Sequence, residues 1–469
     1  MFIFVQFVKT SPKPDTDEPC QTLLAAIFCL STFTARPQTQ EAPKPVHPEK
    51  WSNIENYIRD NWNDFVDTMP SLPKPYCYAL NPGTLYYWDL YFINEGLMRQ
   101  GFFEQARNNV DNFIYEVEKL GFIPNANGWG EDRSMTPYFG MMVSSYYDKA
   151  QEKDTAWLRR AYNAVLKEYE FWTNTNGNTI EDHSTPVEGL QRYGHHSDSA
   201  TLVSFYDKVL QGRFHLEKNV PASEKIRIAG HRLAEAETMD FNPRFEGRCM
   251  DFIPVDLNSN LYQYEKELGR LERKLGISDG RAWEKRADKR AALIRKYLWS
   301  DRRGLYLDYD FVNKRHSPIA SVITVMPLYW GFASKQGAAR IVENLPMFDS
   351  PGGLVVCERS EQPILYQWGD GAVWAPAQFL AMGALENYGY DAAAQRIALK
   401  WLNTVTSNFL DPQPATHRPF KYGDGTRHPG FLYEKYTRDG QINDSEYPCS
   451  IMMGWTASTF LRALDLVRQ

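Results

Sequence analysis

The sequence has few cysteines, no excess of positive charge and no phosphate-binding loop. The six cysteines among 469 residues form no Cys-x-x-Cys pair and no other metal-ligand spacing, which predicts scattered buried thiols. A formal net charge of −6 without a large basic run argues against a nucleic-acid partner. The chain also shows no Gly-rich phosphate loop and no alternation of strands with helices. Nucleotide-binding folds of that type are therefore excluded.

Aromatic residues are abundant instead. They make up 14% of the chain, with 13 Trp and 27 Tyr, and the hydrophobic fraction of 43% is enough for a sizeable core. Flat apolar faces with a polar tip suit sugar rings, although large helical cores also use many aromatics. The composition therefore gives only a weak indication of a carbohydrate ligand.

Residues 1–45 differ from the rest of the chain. The apolar run 22–35 is too short and too polar for a membrane span, and suits the apolar region of a secretory signal with Ala35 near the cleavage point. The acidic residues before the run, at 15–18, contradict a signal, and a start codon placed too far upstream would explain them. We expect a periplasmic or secreted protein if this leader is a signal, and a cytoplasmic one otherwise.

A Pro-rich, polar linker at 36–50 precedes the remainder, and we predict a single domain over 46–469. Apolar residues recur there with helical periodicity, while strand-like runs are few. The clearest strand-like run is 303–312, which is compatible with a hairpin. The predicted helices are 51–66, 88–100, 104–120, 137–150, 154–174, 198–215, 221–237, 258–275, 280–298, 318–332, 335–344, 371–388, 391–408 and 449–466. This pattern favours an all-α ring of helical hairpins whose long loops gather into a pocket at one end.

The stretch AEAETMDFNPRF at 234–245 has a carboxylic acid at its centre. Asp240 follows a predicted helix, is flanked by apolar residues, and precedes Pro243, which prevents a simple continuation of the helix. Partial desolvation of such a carboxyl raises its pKa, as a general acid requires. The structural alternative is a loop carboxylate paired with Arg244.

Three other loops carry residues that suit a sugar. Trp88 and Asp89 open a predicted helix after a Pro-Gly turn, Asn125 and Arg133 lie in a long irregular loop, and Trp368 lies in a Gly-rich loop. Trp rings stack on sugars, and the polar groups bind hydroxyls. The alternatives are a capping Asp, turn chemistry for Asn125, a solvated arginine and core tryptophans.

A histidine-rich loop raises the question of a metal. His183, His195 and His196 fit no standard metal-ligand spacing, so we predict no metal site and assign them to the surface or to the surroundings of the pocket.

The last loop contributes a second carboxylate, Glu446. Facing Asp240 across the centre of a ring, it would complete the pair that glycoside hydrolysis needs, in which one group protonates the leaving oxygen and the other activates water. Glu434, which is expected to pair with Lys435, and Glu358 are the reserve candidates for this second role.

Taken together and in order, these stretches resemble the trehalase family of inverting glycosidases over roughly residues 75–469. The pieces that carry the resemblance are PG…YYWDLYF, GFIPN, DRSMTP, MDFNPRF, PVDLNSNLYQYEK, LYLDYD, PGGLVVCE, QWGDGAVWAP, EKY and EYPCSIMMGWT. Ordered agreement with preserved spacing, as from Gln367 to Pro376 and from Glu446 to Trp455, is more specific than any single motif.

The resemblance implies an (α/α)6 toroid of six helical hairpins that hydrolyses α,α-trehalose without a cofactor, with a small carbohydrate as its partner and a monomer favoured. It implies that Asp240 is the general acid and Glu446 the general base. It further implies that sugar-binding positions fall on Trp88, Asp89, Asn125, Arg133 and Trp368.

The sequence also departs from the family pattern around the expected substrate. Met135 replaces the family's Gln, Thr238 and Met239 stand before the acid, and the family's Arg-Pro-Glu loop is not recognisable in 183–215. These changes leave two alternatives to trehalose hydrolysis. One is the same chemistry on another α-linked disaccharide or α-glucoside, and the other is a non-catalytic sugar-binding protein.

Overall fold

The computed structural model describes residues 41–174, 180–360, 366–415, 427–445 and 447–469, which are mainly helical. The α-helices are α1 Trp51–Asn61, α2 Asp89–Arg99, α3 Phe103–Leu120, α4 Phe139–Lys149, α5 Thr155–Thr173, α6 Ser199–Phe205, α7 Gln211–Arg213, α8 Ala222–Ala234, α9 Val255–Leu275, α10 Arg281–Leu298, α11 Met326–Tyr329, α12 Lys335–Asn344, α13 Ala375–Glu386, α14 Asp391–Leu410 and α15 Gly454–Arg468. The predicted all-α class is confirmed.

Short antiparallel strands connect the loops between these helices. They are β1 Val66–Asp67, β2 Tyr76–Cys77, β3 Phe252–Ile253, β4 Trp299–Ser300, β5 Leu305–Tyr306, β6 Tyr309–Asp310, β7 Arg315–His316, β8 Asp349–Ser350, β9 Gly353–Leu354, β10 Ala372–Trp374 and β11 Lys435–Thr437. The pairs are β1–β2, β4–β5, β8–β9 and β10–β11, and β6 lies between β3 and β7.

Six helices form a closed inner ring. In chain order α2, α4, α9, α11, α13 and α15 each contact the next, and α15 contacts α2. Around them α3 packs on α2 and α4, α5 on α4 and α9, α10 on α9, α14 on α13 and α15, and α1 on α14 and α15. This is the predicted toroid of helical hairpins.

The ends of several helices follow from local chemistry. Asp154 caps α5 by accepting a hydrogen bond of 2.9 Å from the backbone N–H of Trp157. Gly121 ends α3 with a φ of 93°, a conformation that glycine adopts at little cost. Pro376 lies in the first turn of α13, where no helical N–H is lost. All residues of α13 from Ala375 to Leu385 are buried, as an inner helix between neighbours requires.

Several predicted helices are shorter in the structure, among them 51–66, 318–332, 371–388 and 449–466. Within 318–332, a 3-10 turn at Val322–Val325 precedes α11, because Ser321 caps the turn by accepting from the N–H of Ile323. Within 371–388, the first residues form β10, whose partner β11 lies far along the chain. Non-local strand pairing overrides the local helical pattern there.

The strand-like run 303–312 is extended as predicted, but it does not pair with itself. Its first part, β5, pairs with the preceding β4, and its second part, β6, pairs with β3 and β7. The prediction that 303–312 forms a hairpin by itself is therefore wrong, because its two strands pair with other segments and not with each other.

The four cysteines in the described residues, Cys77, Cys249, Cys357 and Cys449, are buried free thiols, as expected. In the described part of the chain, no helix combines the length and the apolar character that crossing a bilayer demands.

Candidate active site

Asp240 lies in a sharp bend after α8. The helix tightens into a 3-10 turn at Glu235–Glu237, and Asp240 follows it, half-buried. Phe241 has a φ of 50°, which turns the chain, and the side-chain amide of Asn242 donates a hydrogen bond of 2.6 Å to the carbonyl of Met239. The segment 235–242 is called the acid loop below.

Arg244, the structural alternative partner of Asp240, binds two other carboxylates. Its guanidinium donates to Asp256 at 2.9 and 3.1 Å and to Asp308 at 2.8 and 2.9 Å, and it is fully buried. These bidentate pairs anchor the end of the acid loop to α9 and to the loop before β6.

Neighbouring segments hold the acid loop through its backbone. The side-chain amide of Asn125 donates to the carbonyl of Ala236 at 2.7 Å, and the N–H of Thr136 donates to the carbonyl of Glu237 at 2.5 Å. The N–H of Gln367 donates to the carbonyl of Phe241 at 3.1 Å. The loops 121–137 and 366–374 therefore set the position of Asp240.

Asp89, the first residue of α2, is buried in the same region. Burial raises the pKa of Asp89 to about 8, and the negative charges of Glu434 and Asp240 act in the same direction. A carboxyl group with this pKa keeps its proton at neutral pH and can donate a hydrogen bond. Glu434 and Asp240 therefore both lie near Asp89.

Buried indoles form an aromatic wall beside these carboxylates. The ring of Trp88 lies 5.6 Å from that of Trp368, and Trp368 stacks on Trp374 with centroids 3.9 Å apart and planes 9° apart. Trp455 contacts Trp88, Trp368 and Trp374 edge-on. Two sugar-binding positions from the sequence, Trp88 and Trp368, therefore belong to one cluster.

Glu434 is positioned by the pairing of β10 with β11 and is buried. Its Oε1 accepts a hydrogen bond of 2.7 Å from the hydroxyl of Tyr447, and its carbonyl accepts one of 3.1 Å from the indole N–H of Trp455. The ammonium group of Lys435 lies 3.2 Å from the centre of the Tyr447 ring. The sequence analysis named Glu434 only as a second choice for the general base. Its proximity to Asp89 could not be predicted, because it depends on closure of the helical ring.

Arg133 and Trp129 form the outer part of the long loop. Arg133 is buried, pairs with Asp132 at 2.5 Å, and lies 5.3 Å above the ring of Trp129, which is 57% exposed. Its Nε has no hydrogen-bond partner among the described residues. Trp129 packs edge-on against Tyr86, with ring centroids 6.1 Å apart. Burial raises the pKa of Tyr86 to about 12, and the nearby charges of Asp89 and Asp240 act in the same direction.

Sequence reasoning did not single out Trp129 or Tyr86. The signal available in the sequence for Trp129 was its position between Gly128 and Gly130 in an irregular loop, because an indole that is exposed in such a loop calls for a partner. Glu446 lies outside the described residues. Glu358, the other reserve base, binds the guanidinium of Arg303 and the N–H of Ala320, both at 2.7 Å, so its carboxylate is engaged in fixing a loop.

The three histidines lie in different surroundings. His183 is fully buried, whereas His195 and His196 are half-buried. Within the part of the chain that the structure describes, Glu181, His183 and Glu237 offer ligand atoms within 4.8 Å of one another, a geometry that could hold a metal ion.

Comparison with known proteins connects this geometry to one family. The family model described as Trehalase matches residues 27–468. The periplasmic trehalase of Escherichia coli O1:K1 / APEC is 29% identical over 460 residues, covering 91% of this chain and 76% of that protein.

Solved structures share the fold. The neutral trehalase Nth1 from Saccharomyces cerevisiae superposes with a TM-score of 0.67 at 24% identity, covering 88% of this chain and 79% of that chain. A GH63 mannosylglycerate hydrolase from Thermus thermophilus, in complex with glucose, has a TM-score of 0.60 at 14% identity and covers 88% and 99% of the two chains.

Proposed function

The chain belongs to the trehalase family, and from this premise we propose that it is an inverting glycoside hydrolase that cleaves α,α-trehalose into two glucose molecules. Asp240 serves as the general acid that protonates the glycosidic oxygen. Glu446 serves as the general base that takes a proton from the attacking water on the opposite face of the sugar. Neither step uses a cofactor.

The remaining residues bind and orient the disaccharide. Trp88 and Trp368 offer an apolar wall to a pyranose ring, and the protonated carboxyl of Asp89 donates to a hydroxyl. Arg133 contributes its Nε–H, which donates to no other group among the residues that the structure describes. Asn125 has one amide hydrogen committed to the carbonyl of Ala236, so its larger contribution is to the position of the acid loop.

The observation that carries the proposal is the grouping of Asp240, Asp89 and Glu434 beside the tryptophan wall, in a chain of this family. Placing acidic side chains close together lowers the free energy of unfolding, because their negative charges repel one another. Such clusters are typical of sites in which carboxyl groups exchange protons with a substrate. A binding protein for a neutral sugar needs neither a general acid nor a general base.

A panel of disaccharides tests the proposal. Purified protein is incubated with α,α-trehalose, maltose, kojibiose and sucrose, and glucose release is followed by proton NMR. Release from trehalose at the highest kcat/KM supports it. Binding of trehalose without release of glucose would make the protein a sugar-binding one.

A second candidate is the same hydrolysis of another α-linked disaccharide or α-glucoside. It is favoured by the replacements near the expected substrate, among them the buried Met135, which has no amide to bind a hydroxyl. In the same panel, this candidate predicts a higher kcat/KM for one of the other sugars.

The relative from Escherichia coli is described as periplasmic. We propose that this protein is exported in the same way, with residues 22–35 as the apolar part of its signal. N-terminal sequencing of the native protein tests this, because export predicts a start near residue 36, whereas an intact Met1 contradicts it.

A further inference from the structure

A buried cluster of three ionisable side chains lies directly behind the acid loop. Glu181, His183 and Glu237 are each at most 3% exposed, and their ligand atoms lie within 4.8 Å of one another. Glu237 precedes Asp240 by three residues. The reaction proposed above uses none of the three, so their burial requires another explanation.

The hydrogen bonding of His183 shows which ring nitrogen faces the cluster without a proton. Its Nδ1 lies 3.0 Å from the carbonyl oxygen of Arg192. A carbonyl only accepts, so Nδ1 carries the hydrogen of the neutral ring and Nε2 presents a lone pair. That lone pair faces Oε2 of Glu181 at 3.4 Å, and neither atom has a hydrogen-bond partner among the described residues.

Two electron-rich atoms that face each other in a buried site need a positive centre between them. The separation fits a metal ion, because two ligands at about 2.0–2.1 Å in a tetrahedral arrangement stand roughly 3.3–3.4 Å apart. A histidine whose other nitrogen donates to a backbone carbonyl is also the usual form of a metal-bound imidazole.

The other atoms of the cluster are held in place by a second layer of hydrogen bonds. Oε1 of Glu181 is 2.7 Å from Nδ1 of His196. The two carboxylate oxygens of Glu237 accept from the N–H groups of Ser134 at 3.0 Å and Gly194 at 2.6 Å. Such outer contacts orient ligands and are part of most metal sites.

We propose that Glu181, His183 and Glu237 bind one divalent transition-metal ion, with Zn²⁺ the best match, and that this ion fastens the acid loop to the loops around it. One imidazole and two carboxylates are ligands that zinc accepts, and the imidazole disfavours Mg²⁺ and Ca²⁺. Full burial of the site indicates a structural ion and not a catalytic one.

The ion would join two segments directly and hold a third through an outer hydrogen bond. Glu237 belongs to the acid loop, Glu181 and His183 belong to the loop before α6, and Ser134, which donates to Glu237, belongs to the loop before α4. Loss of the ion therefore loosens the backbone three residues from Asp240, while the rest of the ring is unaffected.

Metal binding by the full-length protein tests the proposal directly. The protein is dialysed against a chelator, titrated with Zn²⁺ in competition with a chromophoric chelator, and analysed for bound metal after gel filtration. We expect one Zn²⁺ per chain, a higher unfolding midpoint with Zn²⁺ than with Mg²⁺ or Ca²⁺, and visible d–d absorption after loading with Co²⁺. Wild-type protein that retains no zinc overturns the proposal.

Substitutions then locate the site. His183→Gln and Glu181→Gln should weaken Zn²⁺ binding by more than the roughly 10–100-fold that loss of an outer contact costs. His316→Gln is the matched control, because this histidine binds the carbonyl of Tyr297 and lies outside the cluster. Equal zinc binding by the His183→Gln variant and the control contradicts the assignment.

A variant that fails to fold does not end the test. Anomalous scattering at the zinc edge from wild-type crystals places the ion, and a peak away from the three side chains overturns the proposal.

The competing arrangement is a proton shared between Glu181 and Glu237. It predicts that Glu237→Gln folds with equal or greater stability and that the wild type binds no zinc.

Discussion

The side-chain amide of Asn125 donates a hydrogen bond of 2.7 Å to the backbone carbonyl of Ala236, four residues before Asp240. This contact crosses from the loop after α3 to the acid loop. A carboxyl group that must reach a glycosidic oxygen depends on such fixed positioning, because a displacement of about 1 Å can cost 100-fold in rate.

We therefore expect Asn125→Ala to lower kcat by about 10-fold or more while KM changes little. Asn387→Ala is the matched control, since its amide makes the same type of bond, also of 2.7 Å, to the carbonyl of Tyr329. Steady-state kinetics of both variants separates the cases. A raised KM with an unchanged kcat would instead place Asn125 on the sugar.

Substitution of Asp240 should remove turnover. Asp240→Asn keeps the shape of the side chain but cannot deliver a proton, so we expect kcat to fall by at least about 10²–10⁴-fold. Thermal unfolding should stay close to that of the wild type because the residue is half-buried in a loop. Asp60→Asn, at an exposed position on α1, is the control. Activity within about twofold of wild type would exclude Asp240 as the acid.

The stereochemistry of the products distinguishes the role of Glu446. An inverting enzyme holds its two carboxyl groups roughly 6.5–9.5 Å apart, against about 5–5.5 Å in a retaining one, to leave room for water. Hydrolysis of α,α-trehalose should therefore release one α-glucose and one β-glucose, which the anomeric proton signals show before mutarotation. Two α products would make Glu446 a nucleophile.

Glu446→Gln should abolish this hydrolysis. If the variant keeps its activity, the base lies elsewhere, and Glu434 becomes the next candidate because its burial beside Asp89 keeps it in the site. Glu358→Gln is the control, since its carboxylate is bound to Arg303 and Ala320.

The exposed indole of Trp129 should contribute to substrate binding. It is 57% exposed, lies over Arg133 and touches Tyr86, so it can cover a sugar from the solvent side. We expect Trp129→Ala to raise KM several-fold with little change in kcat, and Trp129→Phe to retain most of the affinity. An unchanged KM in the alanine variant would show that the ring does not touch the substrate.

Glu116 should make stability depend on pH. Burial raises the pKa of Glu116 from 4.5 to about 8, while a hydrogen bond from Asn127 acts in the opposite direction. The folded protein therefore holds a proton that the unfolded chain has released between about pH 4.5 and 8. The free energy of unfolding should fall through this window by up to about 1.4 kcal/mol per pH unit.

Denaturant titrations of Glu116→Gln over this pH range check the effect. The variant should gain stability relative to the wild type as the pH rises, and the gain should level off above about pH 8. Glu118→Gln, on the same helix, is the control, because Arg160 holds the pKa of Glu118 low and its removal should cost stability above the acid range. Parallel curves for Glu116→Gln and wild type would contradict the prediction.

Local patterns were sufficient for most of the helices and for the loops that carry the site. The period of apolar residues predicted helices such as α2 and α9 because a helix that packs on one side must repeat that pattern along its own length. The segment around Asp240 was identified from residues 234–245 alone, because Pro243 ends a helix whatever the tertiary structure around it.

Contacts between distant segments were not readable in this way. The residues of β10 have a helical context in sequence and become a strand only because β11, more than 60 residues later, supplies the hydrogen bonds. Arg244 binds Asp256 and Asp308, and Glu237 meets Glu181 and His183, because closure of the helical ring brings these loops together. Ion pairs, shared protons and metal ligands depend on distances of a few ångströms in space, and sequence separation carries no such information.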